Sequence, residues 1–424
     1  MRVHPNNIFK PLRPSLRAQR SSRLLAVLLS TSAVEQPLGS FLGQAQFETA
    51  KRLAVSEKWD RALPVEDFLR RGGVLPGADG VLSKRVPIID VRAPCEYEQG
   101  HVPGAISVPL FTDDERAEVG TLYKQEGHDV AVDRGLEIVD KKGWEGLLRA
   151  APQLSAGDDV LVYCFRGGMR SGSIAHLLSQ APLTVHTLEG GYKRFRHWAM
   201  DSWEACDRPI TIVGGPTGSG KTDVLHALRG DLNAQVLDLE GHANHRGSIF
   251  GALGKEPQPS NEMYENALAL EWRGFDSGRA VFIEDESHNV GRCGVPRGLW
   301  ARMRSSDAQV LRVNVPHEAR VSKLVQEYGV YDPTLIADCV RGLNKRLGNE
   351  KVKELCSLLE ETQPPALAEV ADFLLHGYYD EMYAYQAKKR GEEMGGKVQE
   401  TVECPTGDAL SNARLVADRA SPRV

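Results

Sequence analysis

Residues 86–191 alternate short apolar runs with amphipathic segments. The apolar runs predict strands at 86–91, 160–164 and 184–191, and the amphipathic segments predict helices near 142–150 and at 171–179. Strands that alternate with helices indicate a parallel sheet with helical crossovers. A first α/β domain is therefore expected over residues 60–205.

A second unit of the same kind begins near residue 209. Its apolar runs predict strands at 209–215, 234–240, 280–286 and 309–315, after which the periodicity becomes helical. These patterns predict a second α/β domain with a helical C-terminal region over residues 208–390. Residues 391–424 are polar and aperiodic, so a disordered tail is expected there.

Composition excludes several classes of protein. The chain has 424 residues, 41% hydrophobic and 26% charged, and no run of 18 apolar residues, which argues against a helical membrane span. Seven cysteines without a CxxC pair argue against a disulfide framework or a structural zinc site. The formal net charge is −5, so a nucleic-acid partner would have to bind a local basic patch.

The N-terminus has its own composition. Six Lys or Arg residues and several serines precede the first acid, Glu35. This makeup is typical of a transit peptide over residues 1–45, which would direct the chain to a mitochondrion or chloroplast. The alternative is a disordered basic arm on a cytoplasmic protein.

One cysteine lies in a setting that favours reactivity. Cys164 ends an apolar run and is followed by "FRGGMRS", so that Arg166 and Arg170 flank two glycines and Ser171 opens a helix. Inward-pointing backbone amides and the helix N-terminus lower the pKa of a thiol, and the two arginines can grip an oxyanion. Cys164, Arg166 and Arg170 are therefore the predicted catalytic residues.

The segment "IIDVRAPCEYEQGHVPGAISVPL" at 88–110 resembles the rhodanese signature. The resemblance implies that Cys164 carries a persulfide or its selenium counterpart, with Asp90 and Arg92 in the motif beside it. Small sulfurtransferases of this fold usually have four residues between the cysteine and the loop arginine, whereas five separate Cys164 from Arg170. That spacing resembles cysteine-dependent phosphatases, and it admits either a phosphatase or a phosphorylated chalcogen donor.

A second loop predicts phosphate binding. "GPTGSGKT" follows an apolar strand and precedes a helix, the context that a P-loop requires. Backbone amides of such a loop cradle phosphates, the lysine supplies charge and the threonine can reach Mg²⁺. The predicted phosphate-binding residues are Gly215, Gly218, Gly220, Lys221 and Thr222.

Polar groups cluster beyond the strands of this second domain, where ligands of open α/β sheets bind. "VFIEDES" supplies a Walker-B-like row of acids, and two further segments supply acids, arginines and a serine. The additional candidates are Asp238, Glu240, Arg246, Ser248, Glu284, Asp285, Glu286 and Arg292. His242 and His245 lack a second ligand pair, so no metal site is assigned to them.

A rhodanese-like domain fused to a P-loop domain is similar to the tRNA 2-selenouridine synthases, over roughly residues 60–390. The blocks that carry the resemblance include "DVRAPCEYEQGH", "YCFRGGMRS", "LEGGYKRFR", "GGPTGSGKT" and "IEDESHNVGR", and the most discriminating is "DDERAEVGTLYKQEG". It implies conversion of wobble 2-thiouridine to 2-selenouridine in tRNA through an S-geranyl intermediate. Geranyl diphosphate and selenophosphate would be co-substrates, Cys164 would carry the chalcogen, and Mg²⁺ would accompany the P-loop.

The residues alone leave other functions open. One is a cysteine phosphatase with a nucleotide-binding module, another a sulfurtransferase coupled to a small-molecule kinase, and a third a non-enzymatic scaffold. Basic clusters at 191–198, 297–304 and 341–348 fit either tRNA contact or a solvated helix face. Tyr192, Phe195 and Trp198 fit either base stacking or the core.

Overall fold

The computed structural model describes residues 59–77, 79–142, 158–179, 183–204, 208–361, 366–393 and 399–420. They fall into two compact units that divide between Trp198 and Ala199. Each unit is described by itself below. The predicted transit peptide at 1–45 lies outside the described residues.

The first unit contains a parallel sheet of five strands in the order β1-β5-β4-β2-β3. The strands are β1 (Ala62–Leu63), β2 (Ile88–Asp90), β3 (Ile106–Ser107), β4 (Asp159–Tyr163) and β5 (Thr184–Leu188). The helices are α1 (Val65–Arg71), α2 (Pro94–Gln99), α3 (Asp113–Gln125), α4 (His128–Lys142), α5 (Met169–Leu178) and α6 (Gly191–Asp201).

The predicted strands of this unit occur: β2 and β5 are shorter than their apolar runs, and β4 begins and ends one residue earlier than predicted. The core forms where β2 and β4 pack against α5, with Ile89, Val162 and Ile174 all at most 3% exposed. The helix predicted near 142–150 falls mostly on residues outside the described ranges. Because all strand pairs are parallel, the ends of β2 and β4 meet at one edge of the sheet.

The second unit contains another parallel five-stranded sheet, in the order β12-β11-β6-β8-β7. Its strands are β6 (Ile210–Gly214), β7 (Gln235–Leu237), β8 (Val281–Glu284), β11 (Gln309–Asn314) and β12 (Glu400–Glu403), with a separate antiparallel pair β9 (Asn289–Val290) and β10 (Cys293–Gly294). This architecture confirms the α/β class predicted for both domains.

Helices surround this sheet and then form a C-terminal bundle. The first four are α7 (Lys221–Gly230), α8 (Leu239–Ala243), α9 (Asn261–Gly274) and α10 (Arg297–Met303). The bundle contains α11 (His317–Tyr328), α12 (Pro333–Arg341), α13 (Asn344–Leu347), α14 (Asn349–Glu360), α15 (Leu367–Leu374) and α16 (Asp380–Glu393), with one π-helical turn at Leu375–Tyr379.

The expectation of a disordered tail from residue 391 is wrong. β12 pairs in parallel with β11, and α17 (Ala409–Arg419) packs against α7, with Val402 at 3% exposure and Val416 at 0%. The segment reads as polar because an edge strand and an outer helix each bury only one narrow face. The domain therefore extends to at least residue 420, past the predicted limit of 390.

In the part of the chain that the structure describes, no helix has both the length and the apolar content needed to cross a membrane.

Candidate functional site

Cys164 lies at the carboxyl end of β4, and the loop of residues 165–168 leads from it into α5. The residue is 3% exposed, and its Sγ lies 3.2 Å from the Ser171 hydroxyl oxygen in the first turn of α5. The sulfur therefore lies beside the first turn of α5. Amides and a partial positive charge in this position favour a bound anion.

Backbone contacts fix the shape of the cysteine loop. Gly167 has a φ of +67°, and a Cβ there would come within 2.5 Å of the Leu188 carbonyl oxygen. The Tyr192 amide donates to the Cys164 carbonyl at 2.8 Å, and the Lys193 amide donates to the Phe165 carbonyl at 2.9 Å. The "LEGGYKRFR" block thus holds the backbone of the cysteine loop in place, and its glycines have a structural role.

Two arginines next to the loop share one carboxylate. Arg170 donates to Glu96 at 3.0 Å, and the Arg116 guanidinium lies 3.8 Å from the same carboxylate. Although burial opposes its charge, Arg170 holds the pKa of Glu96 below the ordinary value. Arg166 is exposed. An oxyanion that enters the loop would have to compete with Glu96 for Arg170.

Asp90 and Arg92 form a buried ion pair that supports the loop indirectly. They are 0% and 2% exposed, and their closest approach is 2.7 Å. Arg92 also donates to the Gly100 carbonyl at 2.6 Å and lies 3.8 Å from the ring centre of Tyr192. Because Tyr192 holds the Cys164 carbonyl, we interpret the pair as positioning residues.

The aromatic residues beside this loop are core residues. Tyr192 and Phe195 are 3% and 0% exposed, which leaves no ring face available for a base. Trp198 is partly buried and donates to Glu66 at 3.3 Å. Of the two readings left open for this cluster, packing is correct for Tyr192 and Phe195.

The glycine-rich loop has the strand–loop–helix setting that its motif predicted. β6 ends at Gly214 and α7 begins at Lys221, while Gly218 and Gly220 take φ values of +78° and +75°. Lys221 Nζ donates to the Gly215 carbonyl at 2.9 Å. A phosphate ligand would offer the lysine a stronger acceptor than that carbonyl.

A cavity of about 960 Å³ opens at this loop. It brings together most of the residues that the sequence predicted for the second domain. The predicted residues that line it are Gly215, Gly218, Gly220, Lys221, Thr222, Asp238, Glu240, Arg246, Ser248, Asp285 and Glu286.

Two predicted residues do not line this cavity. Glu284 is 1% exposed and lies beneath it, accepting a hydrogen bond from the Glu240 amide at 2.9 Å. Burial and the charge of Asp238 raise the pKa of Glu284 well above its ordinary value. Arg292 lies on the turn between β9 and β10 and contacts Gln258, so the prediction that it holds phosphate finds no support.

Carboxylates and a hydroxyl meet next to Lys221. Thr222 donates to Glu240 at 2.9 Å. Burial and the neighbouring Glu240 charge raise the pKa of Glu286 to about 8. Oxygen donors of this kind suit Mg²⁺, so the residues present fit that ion.

Asp285 differs from its neighbours because arginines neutralise it. It forms ion pairs with Arg390 from α16 and, at 3.4 Å, with Arg304 at the end of α10. Arg304 and Arg390 both line the cavity. Arg304 was predicted only as part of the basic cluster at 297–304 and Arg390 was not predicted, because their pairing with Asp285 depends on the tertiary fold.

Arg246 and Ser248 line the cavity but already have protein partners. Arg246 forms an ion pair with Glu327 at 2.7 Å and donates to the Leu253 carbonyl at 3.0 Å. Ser248 accepts a hydrogen bond from the Phe250 amide at 3.2 Å. Both are placed to meet a ligand after rearrangement of these contacts.

One group of possible metal ligands occurs elsewhere among the described residues. His317, Asp372 and His376 bring three ligand atoms within 4.8 Å of one another, and His317 and Asp372 are hydrogen-bonded at 2.6 Å. They join α11 to α15 and do not line the cavity. We assign them a structural role.

Together, the two units define a rhodanese-like domain followed by a P-loop domain. The rhodanese-like domain family model matches residues 78–197, and the model described as the tRNA 2-selenouridine synthase AAA domain matches residues 208–405. Close relatives give the same family over most of the chain. The chain belongs to the tRNA 2-selenouridine synthase family.

The relatives are bacterial proteins. The tRNA 2-selenouridine synthase of Aeromonas salmonicida (strain A449) is 37% identical over 73% of this chain and 89% of its own length. That of Shewanella halifaxensis (strain HAW-EB4) is 34% identical over 73% of this chain and 90% of its own. That of Pseudomonas putida (strain KT2440) is 36% identical over 78% of this chain and 96% of its own.

The contact between Glu96 and Arg170 makes a testable prediction. Glu96→Gln is expected to bind inorganic phosphate at the cysteine loop roughly 3- to 10-fold more tightly, because a partly buried ion pair that competes with the anion contributes about 1 kcal/mol. Protection of Cys164 from alkylation, followed by peptide mass, measures this affinity. Glu98→Gln, on the exposed face of α2, is the control, and equal affinities in the two variants would contradict the competition.

Proposed function

We propose that this chain converts wobble 2-thiouridine in tRNA to 2-selenouridine through an S-geranyl intermediate. Geranyl diphosphate and selenophosphate are the co-substrates. The observation that carries the proposal is the presence, in one chain of this family, of two loops that each lead from a parallel strand into a helix N-terminus. One loop holds a cysteine, and the other holds a lysine in a large cavity.

The first step is assigned to the P-loop cavity. The sulfur of 2-thiouridine attacks C1 of geranyl diphosphate, a carbon–sulfur bond forms, and the carbon–oxygen bond to diphosphate breaks. The N3 proton of the uridine leaves to a base, and diphosphate departs with the electron pair. Lys221 and the loop amides stabilise the negative charge that develops on the leaving group.

Bound Mg²⁺ would neutralise further charge on the diphosphate. Thr222, Glu240 and Glu286 would hold it, because they supply oxygen donors beside the loop. Asp285 is less suited to this role, since Arg304 and Arg390 already neutralise it.

An apolar branch of the cavity suits the hydrocarbon part of a prenyl diphosphate. The branch has a volume of about 50 Å³ and shares Thr217, Leu324 and Tyr379 with the larger cavity. Its deeper walls are apolar, from Phe250, Ile336, Leu367, Val370, Ala371 and Leu374. An engineered cavity that binds benzene measures about 150 Å³, so this branch fits the end of a hydrocarbon chain and excludes a purine.

The second step replaces the S-geranyl group by selenium. Alkylation turns the sulfur into a better leaving group, and selenophosphate supplies the incoming atom. The Cys164 loop is the site proposed for this donor, since Arg166, Arg170 and the amides of α5 suit a phosphoryl group. Relatives named tRNA 2-selenouridine synthase support the overall conversion.

The apolar branch gives one prediction. Ala371→Phe fills the branch and is expected to raise the KM for geranyl diphosphate at least about tenfold, because several buried methylene groups contribute about 0.8 kcal/mol each. Inhibition by inorganic diphosphate should stay the same. Ala368→Phe, at an exposed position of the same helix, is the control. Equal KM values in the two variants would show that the hydrocarbon chain of the substrate binds elsewhere.

The two loops give a second prediction. Lys221→Ala is expected to form no S-geranyl uridine, while Cys164→Ser should form it and stop there. Thiolated tRNA is incubated with each variant and both co-substrates and is then digested. The masses of the resulting nucleosides are measured. Lys353→Ala, at an exposed position, is the control. Undiminished geranylation by Lys221→Ala would refute the assignment of the P-loop.

A further inference from the structure

The electron count of the selenium donor restricts what Cys164 can do. In selenophosphate, selenium is bonded to phosphorus and is as reduced as in selenide. A selenium atom carried on a cysteine as a perselenide is more oxidised by two electrons. Neither geranyl diphosphate nor tRNA accepts those electrons, so direct transfer of selenium to the thiolate does not balance.

Attack on phosphorus does balance, and the loop is built for it. Five residues separate Cys164 from Arg170, which gives a larger cradle than a bare chalcogen atom needs. The N-terminus of α5 lies at this loop, and Arg170 in its first turn pairs with Glu96, which a phosphoryl group would have to displace. The cysteine and the anion site beside it would therefore both act on the phosphoryl group of the donor.

Ser171 supplies an independent observation. Its side chain is fully buried, its hydroxyl donates to the Gly168 carbonyl at 3.2 Å, and its Oγ lies 3.2 Å from Cys164 Sγ. The hydroxyl has one hydrogen, so by rotating away from the Gly168 carbonyl it can donate to the sulfur when the sulfur leaves as a thiolate. Departure of the thiolate is the step that ends a phosphocysteine intermediate.

We propose that Cys164 attacks the phosphorus of selenophosphate and carries a phosphoryl group, with Ser171 assisting its release. The proposal rests on the proposed function for its donor and acceptor. The family resemblance implied a chalcogen atom on the Cys164 sulfur. In this proposal the same sulfur carries a phosphoryl group instead.

Each step keeps its atoms and electrons. The sulfur–phosphorus bond forms, the phosphorus–selenium bond breaks, and protonated selenide leaves with the bonding pair. Selenide adds to C2 of the S-geranyl uridine, the carbon–sulfur bond breaks, and geranyl thiolate leaves. Water then attacks the phosphoryl group, inorganic phosphate is released, and the Ser171 hydroxyl donates to the departing Cys164 thiolate.

Thiophosphate without tRNA tests the bond that breaks. Attack on phosphorus leaves a phosphoryl group on Cys164, whereas attack on the chalcogen leaves a sulfur atom, and the two adducts differ in mass. The full-length protein is incubated with thiophosphate, the reaction is quenched, and the protein is digested. The mass of the peptide that contains Cys164 is then measured. We expect the phosphoryl adduct on Cys164 in the wild type, none in Cys164→Ser, and a larger amount in Ser171→Ala.

The rate of phosphate release supplies a second readout. Ser171→Ala is expected to slow it roughly tenfold, the loss expected when one hydrogen bond to a leaving group is removed. Ser173→Ala, on the same helix, is the control, and a thermal melt confirms that each variant folds. If Ser171→Ala does not fold, Ser171→Thr is used instead. This variant keeps the hydroxyl and is expected to form the phosphoryl adduct on Cys164 as the wild type does.

The outcomes separate this proposal from the proposed function. A sulfur adduct on Cys164, or no adduct in any variant, would overturn the phosphoryl route. Selenation of tRNA by a protein that forms no phosphoryl adduct would also overturn it and leave the proposed function standing. An adduct without any change in tRNA would support the phosphoryl route and count against the proposed function.

Discussion

Parallel strand pairing is the constraint on which both sites depend. Parallel strands bring their carboxyl ends to one edge of a sheet, where loops can expose amides and side chains. The Cys164 loop follows β4, and the phosphate loop follows β6, each beside a paired strand that supplies acids or a buried ion pair. Each loop then enters a helix whose N-terminus attracts an anion.

Charge balance distinguishes the two sites. At the cysteine loop the Glu96 carboxylate pairs with Arg170, the arginine that we propose for binding a phosphorylated donor. In the P-loop cavity Asp238, Glu240 and Glu286 line the same space as Lys221, and burial and Glu240 raise the pKa of Glu286 to about 8. Arg304 and Arg390 remove only the charge of Asp285. Lys and Arg side chains line the cavity together with Asp and Glu side chains, so it offers cationic groups to a diphosphate and carboxylates to Mg²⁺.

Local sequence predicted the parts of the sites that depend on neighbours along the chain. Cys164, Lys221 and Thr222 lie in strand–loop–helix motifs, so their surroundings follow from a few consecutive residues. The pairings of Glu96 with Arg170 and of Asp285 with Arg390 depend on the tertiary fold, and no local pattern reveals them. Arg292 does not line the cavity, because a two-stranded turn directs it to Gln258. The C-terminal strand was missed because only Val402 and its neighbour Cys404 are buried there.

The central claim is that two chemical steps use two separate loops of one chain. The most direct measurement isolates tRNA that carries S-geranyl uridine and gives it, with selenophosphate, to the Lys221→Ala protein. The account predicts conversion to 2-selenouridine at close to the wild-type rate, because only the cysteine loop is needed. Failure of this variant to convert the isolated intermediate, while the wild type does so, would contradict the division between the loops.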